Sequence, residues 1–368
     1  MALTVWHGGT FTEHKAEDAR TLPYADGSCD AIEVRGDLAR YVGGGAIETV
    51  AALAAKIRPG GDLRVAVPNF DALVDAYKNG TAQDVEERIM GKGGENGSIW
   101  NRQKLTEAFR AAGIEEARAW HQAEEPLVIA MEGKRLPPIT ELRNVEALIS
   151  MPRLAWTENM FCAIAALIPL KVNITKHTGA FWGQCLSRLM TDAIAKPTCE
   201  WILTLDYDSI FTKEDVTTLY RLATSRNLDA VAAMQIGRER NTVLITCIDE
   251  KGDARTSLSL EEIQSDALEV ETAHFGMTLI RADALRNLPR PWFHGQPASD
   301  GTWGDGRIDD DIQFWRQWKR NGFKVWQSNR VKIGHIQIMV TWPDQRLAAR
   351  HQYHSEYVND GKPPYART

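Results

Sequence analysis

The stretch WILTLDYDSIF, residues 201–211, decides how the larger part of this chain is read. An apolar run reaches Leu205 and stops at two acids, Asp206 and Asp208, on either side of Tyr207. A short apolar run ending in charge reads as a buried strand of an open α/β sheet, whose ligands sit beyond the carboxyl ends of the strands. Two oxygen-bearing side chains just past a strand end can share one hard divalent cation, and such a cation bridges the oxygens of a diphosphate. By itself an acid pair in a turn is more often solvated than functional. The residues after the pair strengthen the functional reading: Thr212 reads as a helix N-cap with Asp215 at N3, and residues 214–223 form an amphipathic helix.

A second acidic cluster, Asp309, Asp310 and Asp311, opens a helix that runs to Arg320 and is closed by Asn321 and Gly322. The helix dipole accounts for one or two acids at such a start. Three in a row repel one another, and a nearby cation or hydroxyl would relieve them, giving a carboxylate a proton to accept. Residues 323–326 and 331–335 read as two short strands, the second ending in His335. A lone histidine is more often a structural hydrogen-bonder than a ligand, and its place after the acidic helix shifts that balance toward the ligand. Trp315 and Trp318 interleave with Arg316, Lys319 and Arg320 as aromatics and cations do in nucleic-acid grooves. At helical spacing, core tryptophans with a solvated basic face are the preferred reading, so nucleic acid is not the favoured partner.

Taken in order, these elements resemble a GT-A fold glycosyltransferase of the family 2 type and its relatives. Met151-Pro152-Arg153 is similar to the strand end that contacts the nucleotide, and Leu205-Asp206-Tyr207-Asp208 to the family D-x-D. Residues 275–280 followed by Pro291-Trp292-Phe293 resemble the segment lining the sugar and acceptor pocket. Asp310-Asp311-x-x-Phe314 with Gly322 resembles the "E-D-x-x-F…G" helix, and Gly334-His335 the metal-binding histidine of some members. The likeness spans roughly residues 125–337. It implies a Rossmann-like nucleotide-diphospho-sugar transferase domain with Mn2+ or Mg2+ on Asp206, Asp208 and His335. The donor it implies is a nucleotide-sugar, a UDP-sugar first, contacted by Pro152, Arg153, Gln184, Arg188 and Tyr207. Phe275, Gly276, Trp292 and Trp303 would line the sugar and acceptor pocket. Asp311, with Asp310 beside it, would deprotonate an acceptor hydroxyl for an inverting displacement, although some metal-histidine members retain configuration. The acceptor stays open: a glycan, a small molecule or a hydroxymethylated DNA base. The family's Arg-Asn pair ahead of the D-x-D is absent; Gly183, Gln184 and Arg188 occupy that region.

The first third reads differently. Residues 29–34 suit a strand and 46–57 a helix, which Arg58-Pro59-Gly60-Gly61 stops before a buried strand at 62–67. Residues 101–112 form a later helix closed by Gly113. With LPYADGSCDAI at 22–32, these elements resemble the C-terminal half of a class I S-adenosylmethionine-dependent methyltransferase. A working member needs a strand, a glycine-rich turn and an acidic residue ahead of that segment. Only residues 1–21 stand there, and His7-Gly8-Gly9 has no room for a following helix and strand. The expectation is a truncated methyltransferase-like α/β domain over 1–124, binding no S-adenosylmethionine and serving for dimerisation or acceptor positioning. The catalytic domain is expected over 125–368, the join falling near Glu124 to Pro138. Methyl transfer and a non-catalytic carbohydrate-binding or scaffolding role are the alternatives.

At 368 residues the chain suits two domains, each able to bury a core. Five scattered cysteines with no C-x-x-C indicate neither a disulfide framework nor a zinc knuckle. A formal net charge of -6 gives no bulk attraction for nucleic acid. No apolar run approaches a bilayer's span of about 20 residues. The start lacks the basic and apolar regions of a signal peptide, so the cytoplasm is the expected compartment.

Overall fold

A computed structural model describes residues 2–15, 21–35, 45–80, 100–121, 127–151, 155–239, 242–249 and 251–366. The protein is mixed α/β and divides into two compact units, Met1–Pro138 and Ile139–Thr368.

The first unit is built on a six-stranded sheet. Its strands are β1 (Ala2–His7), β2 (Thr10–Lys15), β3 (Cys29–Arg35), β4 (Ile57–Pro68), β5 (Ile114–His121) and β6 (Val128–Arg135). Their order is β2-β1-β3-β4-β6-β5, with only the β3–β4 pair parallel. Helices α1 (Gly45–Lys56), α2 (Phe70–Lys78) and α3 (Arg102–Ala111) accompany it. Leu53 of α1 and Phe109 of α3 bury themselves with Ile32, Leu63 and Val65 of the sheet. Asn101 caps α3 by accepting from the Lys104 amide at 3.0 Å, and Gly113 takes the positive φ of 71° that ends it.

Two expectations change here. The Arg58–Gly61 segment interrupts no strand: Ile57 pairs with Cys29 and Asp62 with Ala31, so the four residues bulge out of one continuous β4, at positive φ for Gly60. Gly8 and Gly9, at φ 59° and 81°, turn the β1–β2 hairpin, a two-residue turn that requires positive φ at both positions. Within the join expected near Glu124 to Pro138, an end at Glu124 would cut this sheet, because β6 pairs with both β4 and β5. The chain leaves the unit at the second proline cluster, Leu136-Pro137-Pro138.

The second unit holds a seven-stranded sheet of β7 (Val145–Met151), β8 (Asn173–Thr178), β9 (Trp201–Asp206), β11 (Ala230–Met234), β14 (Ala267–Val270), β16 (Met277–Arg281) and β17 (Val325–Lys332). Their order is β14-β17-β11-β16-β9-β7-β8. Strands β7, β8 and β9 run parallel, as do β11 and β17, while β16 is antiparallel to β9 and β11. The carboxyl ends of β7, β9, β11 and β17 therefore share one edge. Alternate residues serve opposite faces, as the two-residue strand period dictates. Leu203 and Leu205 of β9 pack with α4 (Thr157–Leu167) and α6 (Lys213–Ser225). Ile202 packs with α5 (Trp182–Ile194), α8 (Ala282–Asn287) and α9 (Asp310–Arg320). Trp315 and Trp318 are fully buried on α9, as core residues.

The two short strands expected at 323–326 and 331–335 are instead the eight-residue β17 and a two-residue β18, Gly334–His335. The polar run Gln327-Ser328-Asn329, which lies between those two expected strands, is buried within β17; Ser328 and Asn329 find partners, while Gln327 Oε1 has none. Asn329 donates to the Glu262 and Ser265 carbonyls at 2.7 and 3.0 Å, and Ser328 Oγ accepts from the amides of Arg330 and Val331.

Candidate active site

Strand β9 ends in Asp206, Tyr207 and Asp208 make a turn, and β10 (Ser209–Ile210) pairs antiparallel with β18, placing Ser209 opposite His335. Immediately after, α6 begins with the expected reciprocal cap: Thr212 accepts from the Asp215 amide at 3.2 Å, and Asp215 from the Thr212 amide at 2.8 Å. Buried Asn159 of α4 staples the turn, donating to the carbonyls of Asp206 at 3.0 Å and Ser209 at 2.6 Å. On the other side the Asp206 amide donates to the Gly276 carbonyl at 3.2 Å, and the Ile336 amide to the Asp208 carbonyl at 2.8 Å.

The two carboxylates of the turn have different partners. Asp206 Oδ1 accepts from Trp182 Nε1–H at 3.3 Å, and burial with the neighbouring Asp208 carboxylate pushes its pKa up to about 6. Asp208 is enclosed, with 2% of its side chain exposed. Its Oδ2 lies 3.4 Å from both His335 Nε2 and Arg238 Nη2, yet has no hydrogen-bond partner of ordinary geometry. His335 Nδ1 faces the Ile236 carbonyl at 2.9 Å and so must carry a proton there. In the neutral ring Nε2 then presents a lone pair to a carboxylate oxygen. Such a pair needs a shared positive charge. Burial pulls the imidazole pKa down, but the Asp208 carboxylate and the Ile236 carbonyl outweigh it, and the net effect is upward.

Around this pair the packing leaves no slack. A Cβ on Gly276 would come within 2.5 Å of Gln235 Oε1 and 2.8 Å of His274 Nδ1, so only glycine fits. Gln235 donates to Ser209 Oγ and to the Gly334 carbonyl, both at 3.2 Å, tying β11 to the β10–β18 pair. His274 is buried; its Nδ1 accepts from the Gly276 amide at 2.9 Å and its Nε2–H donates to the Ala233 carbonyl at 2.7 Å. Burial holds its pKa down at about 4, so it stays neutral.

The acids of α9 separate in role. One oxygen of Asp310 accepts from the Gly295 amide, and the other fills the space where a Cβ on Gly183 would stand, at 2.5 Å. Gly183 follows Trp182, whose carbonyl is held by Ser150 Oγ of β7 at 3.3 Å. Asp310 thus abuts the helix start that carries the Asp206 donor. Asp311 turns back on its own helix, accepting from the Ile312 amide at 2.8 Å, and burial raises its pKa. Asp309 pairs with Arg307 at 2.8 Å in the open.

Other expected site residues fall elsewhere. Phe275 is 2% exposed and stacks on Trp315 at 5.1 Å, and Trp292 is 1% exposed with its Nε1–H on the Leu288 carbonyl; both are core rather than pocket lining. Tyr207 is half-buried against the α4–α6 side of the core. Gln184 and Arg188 are exposed on α5, and Trp303 is exposed in the loop before α9. Pro152 and Arg153 lie outside the described residues. Among the described residues no group of three or more His, Cys, Asp or Glu side chains is arranged to hold a metal ion. The expected trio is therefore assembled only in part: His335 and Asp208 meet, while the Asp206 carboxylate is engaged by Trp182. A cation still suits this donor set, because Asp208 Oδ2, which lacks a hydrogen-bond partner, lies 3.4 Å from the Nε2 lone pair of His335.

Sequence reasoning missed Asn159, Trp182, Gln235, Arg238 and His274. Only Arg238 carried a signal, a cation just past the apolar run 230–234.

No protein-family model matches the chain, and no curated protein matches it. Among solved structures, A197 from STIV is similar at 13% identity and TM-score 0.40, over 54% of this chain and 87% of that one. GalNAc-T7 with UDP, GalNAc and Mn2+ is similar at 12% identity and TM-score 0.37, over 53% of this chain and 44% of that one. A methyltransferase in complex with the Haloferax volcanii Trm112 activator is similar at 17% identity and TM-score 0.25, over 33% of this chain and 60% of that one. The chain spans less than two thirds of the last two. These are partial likenesses at low identity, and none assigns a function. Among the described residues no helix is long and apolar enough to cross a membrane.

Proposed function

We propose that the second unit is a metal-dependent glycosyltransferase of GT-A type, moving a sugar from a nucleoside diphosphate sugar, a UDP-sugar first, to an acceptor hydroxyl. The observation that carries this reading is the meeting of Asp208 and His335, at the carboxyl edge of the sheet, around a buried carboxylate oxygen without a hydrogen-bond partner. Asp208 and His335 would hold Mn2+ or Mg2+, with Asp206 from the same turn. Bound there, the cation would neutralise the diphosphate leaving group. The Ile236 carbonyl fixes the His335 tautomer, as the outer partners of metal-binding histidines do. Of the two expected bases, Asp310 is the better placed, because it abuts the start of α5 whereas Asp311 turns back to the Ile312 amide of its own helix. Asp310 would accept the acceptor's proton, for an inverting displacement.

Thermal stabilisation by UDP and UDP-sugars, with and without Mn2+, tests the reading. Stabilisation that requires both nucleotide and Mn2+, and is lost in Asp208→Asn, supports it. No Mn2+-dependent effect from any nucleotide refutes it. For the first unit we propose a non-catalytic role, supported by the Gly8–Gly9 hairpin turn. Micromolar binding of S-adenosylmethionine by calorimetry would overturn that.

A further inference from the structure

Asp208 Oδ2 is faced by two groups from different elements, His335 of β18 and Arg238 of the loop after β11, each at 3.4 Å. That loop is held on several sides. Ile236 bridges Val243, the Gly237 amide donates to the Thr242 carbonyl at 2.9 Å, and the Glu239 amide donates to Gln337 Oε1 at 3.0 Å. Glu239 itself sits at φ +56°, a conformation that a residue with a side chain keeps only when its surroundings enforce it. The direction in which Arg238 leaves the backbone is thereby set by its neighbours. Yet 51% of its side chain is exposed, against 2% for Asp208. A guanidinium carries several donors in a rigid plane, so it can face a protein carboxylate with one edge and a second anion with another.

We infer that Arg238 is the resident counter-ion of Asp208 and becomes a ligand of the donor's diphosphate once a divalent cation takes that carboxylate. The inference rests on the metal–diphosphate reading of the site. A divalent cation and a guanidinium within about 4 Å of the same oxygen compete for it and repel each other. A diphosphate relieves both, offering oxygens to the cation and to the guanidinium together. Metal and nucleotide then bind cooperatively: each alone meets an unfavourable charge that the other cancels.

Calorimetric titrations of the full chain with Mn2+ alone, and with UDP in saturating Mn2+, test this in the wild type, Arg238→Gln and Arg238→Lys. Removing the competing charge should tighten Mn2+ alone about tenfold in Arg238→Gln and weaken UDP in Mn2+ about tenfold. Arg238→Lys, which keeps the charge without the planar fork, should fall between the two in both titrations. Wild-type binding of Mn2+ and UDP with unchanged affinities in Arg238→Gln overturns the inference and leaves the metal–diphosphate reading standing. Weaker Mn2+ binding in Arg238→Gln also overturns it, since the arginine would then help to build the metal site. Failure of the wild type to bind either ligand overturns both.

Discussion

His274 ties the carboxyl end of β11 to Gly276, whose carbonyl in turn receives the Asp206 amide, and it does so as a neutral ring. Replacing it by Gln removes a group whose pKa is held at about 4 in the folded protein against 6.5 in the unfolded chain. Between those values the unfolded chain binds the proton and the folded protein does not, so His274 favours unfolding progressively as pH falls from 6.5 toward 4. At about 1.4 kcal/mol for each tenfold, the gap is worth roughly 3 kcal/mol. Asp206, raised to about 6 from 3.8, works in the opposite sense: its folded form takes up a proton first as pH falls, which favours folding over nearly the same window. The wild-type profile is flattened by the two together, so the informative quantity is the difference between variants. Urea unfolding of the metal-free full chain at intervals from pH 8 to pH 4 reads it. At pH 8 the wild type should lead His274→Gln by about 1–3 kcal/mol for two lost hydrogen bonds. That lead should shrink by roughly 3 kcal/mol by pH 4. A lead that is constant across the range, or grows toward acid, would refute a neutral His274 at this position.

Asp208→Asn should keep the melting temperature within a few degrees and abolish Mn2+ binding in calorimetry; retained Mn2+ affinity removes Asp208 as a ligand. Asp310→Asn should lose about a hundredfold in transfer rate with donor affinity intact, while Asp311→Asn, which keeps an oxygen to accept from the Ile312 amide, should lose far less; the reverse order of rates reassigns the base. Thr212→Ala should cost about 1 kcal/mol in denaturant unfolding by removing the reciprocal cap that starts α6. Trp182→Phe, which keeps the ring among Phe275 and Phe293 but deletes the donor to Asp206, should alter Mn2+ affinity with little loss of stability; an unchanged affinity would separate Trp182 from the site.

What the sequence determined by itself is local. The apolar run into Asp206-Tyr207-Asp208, the Thr212–Asp215 cap, and the glycines that end α3 and α9 are relations within a few residues, and chain geometry satisfies them wherever the segment lies. The same is true of the buried face of α9, because Phe314, Trp315 and Trp318 recur at helical spacing. Tertiary structure decided everything that depends on which element lies beside which. Whether Phe275 and Trp292 face a ligand or a core turns on the aromatic cluster packed around them, which no spacing in the sequence announces. Asn329 of the polar run 327–329 can be buried in β17 because carbonyls of residues 262 and 265 come to meet its side chain. Asp208 meets His335 and Arg238 because β10 pairs with β18 and the loop after β11 closes over that pair. A carboxylate's chemistry is set by the charges within a few ångströms of it, and in this chain those charges come from residues far apart in sequence that the sheet alone brings together.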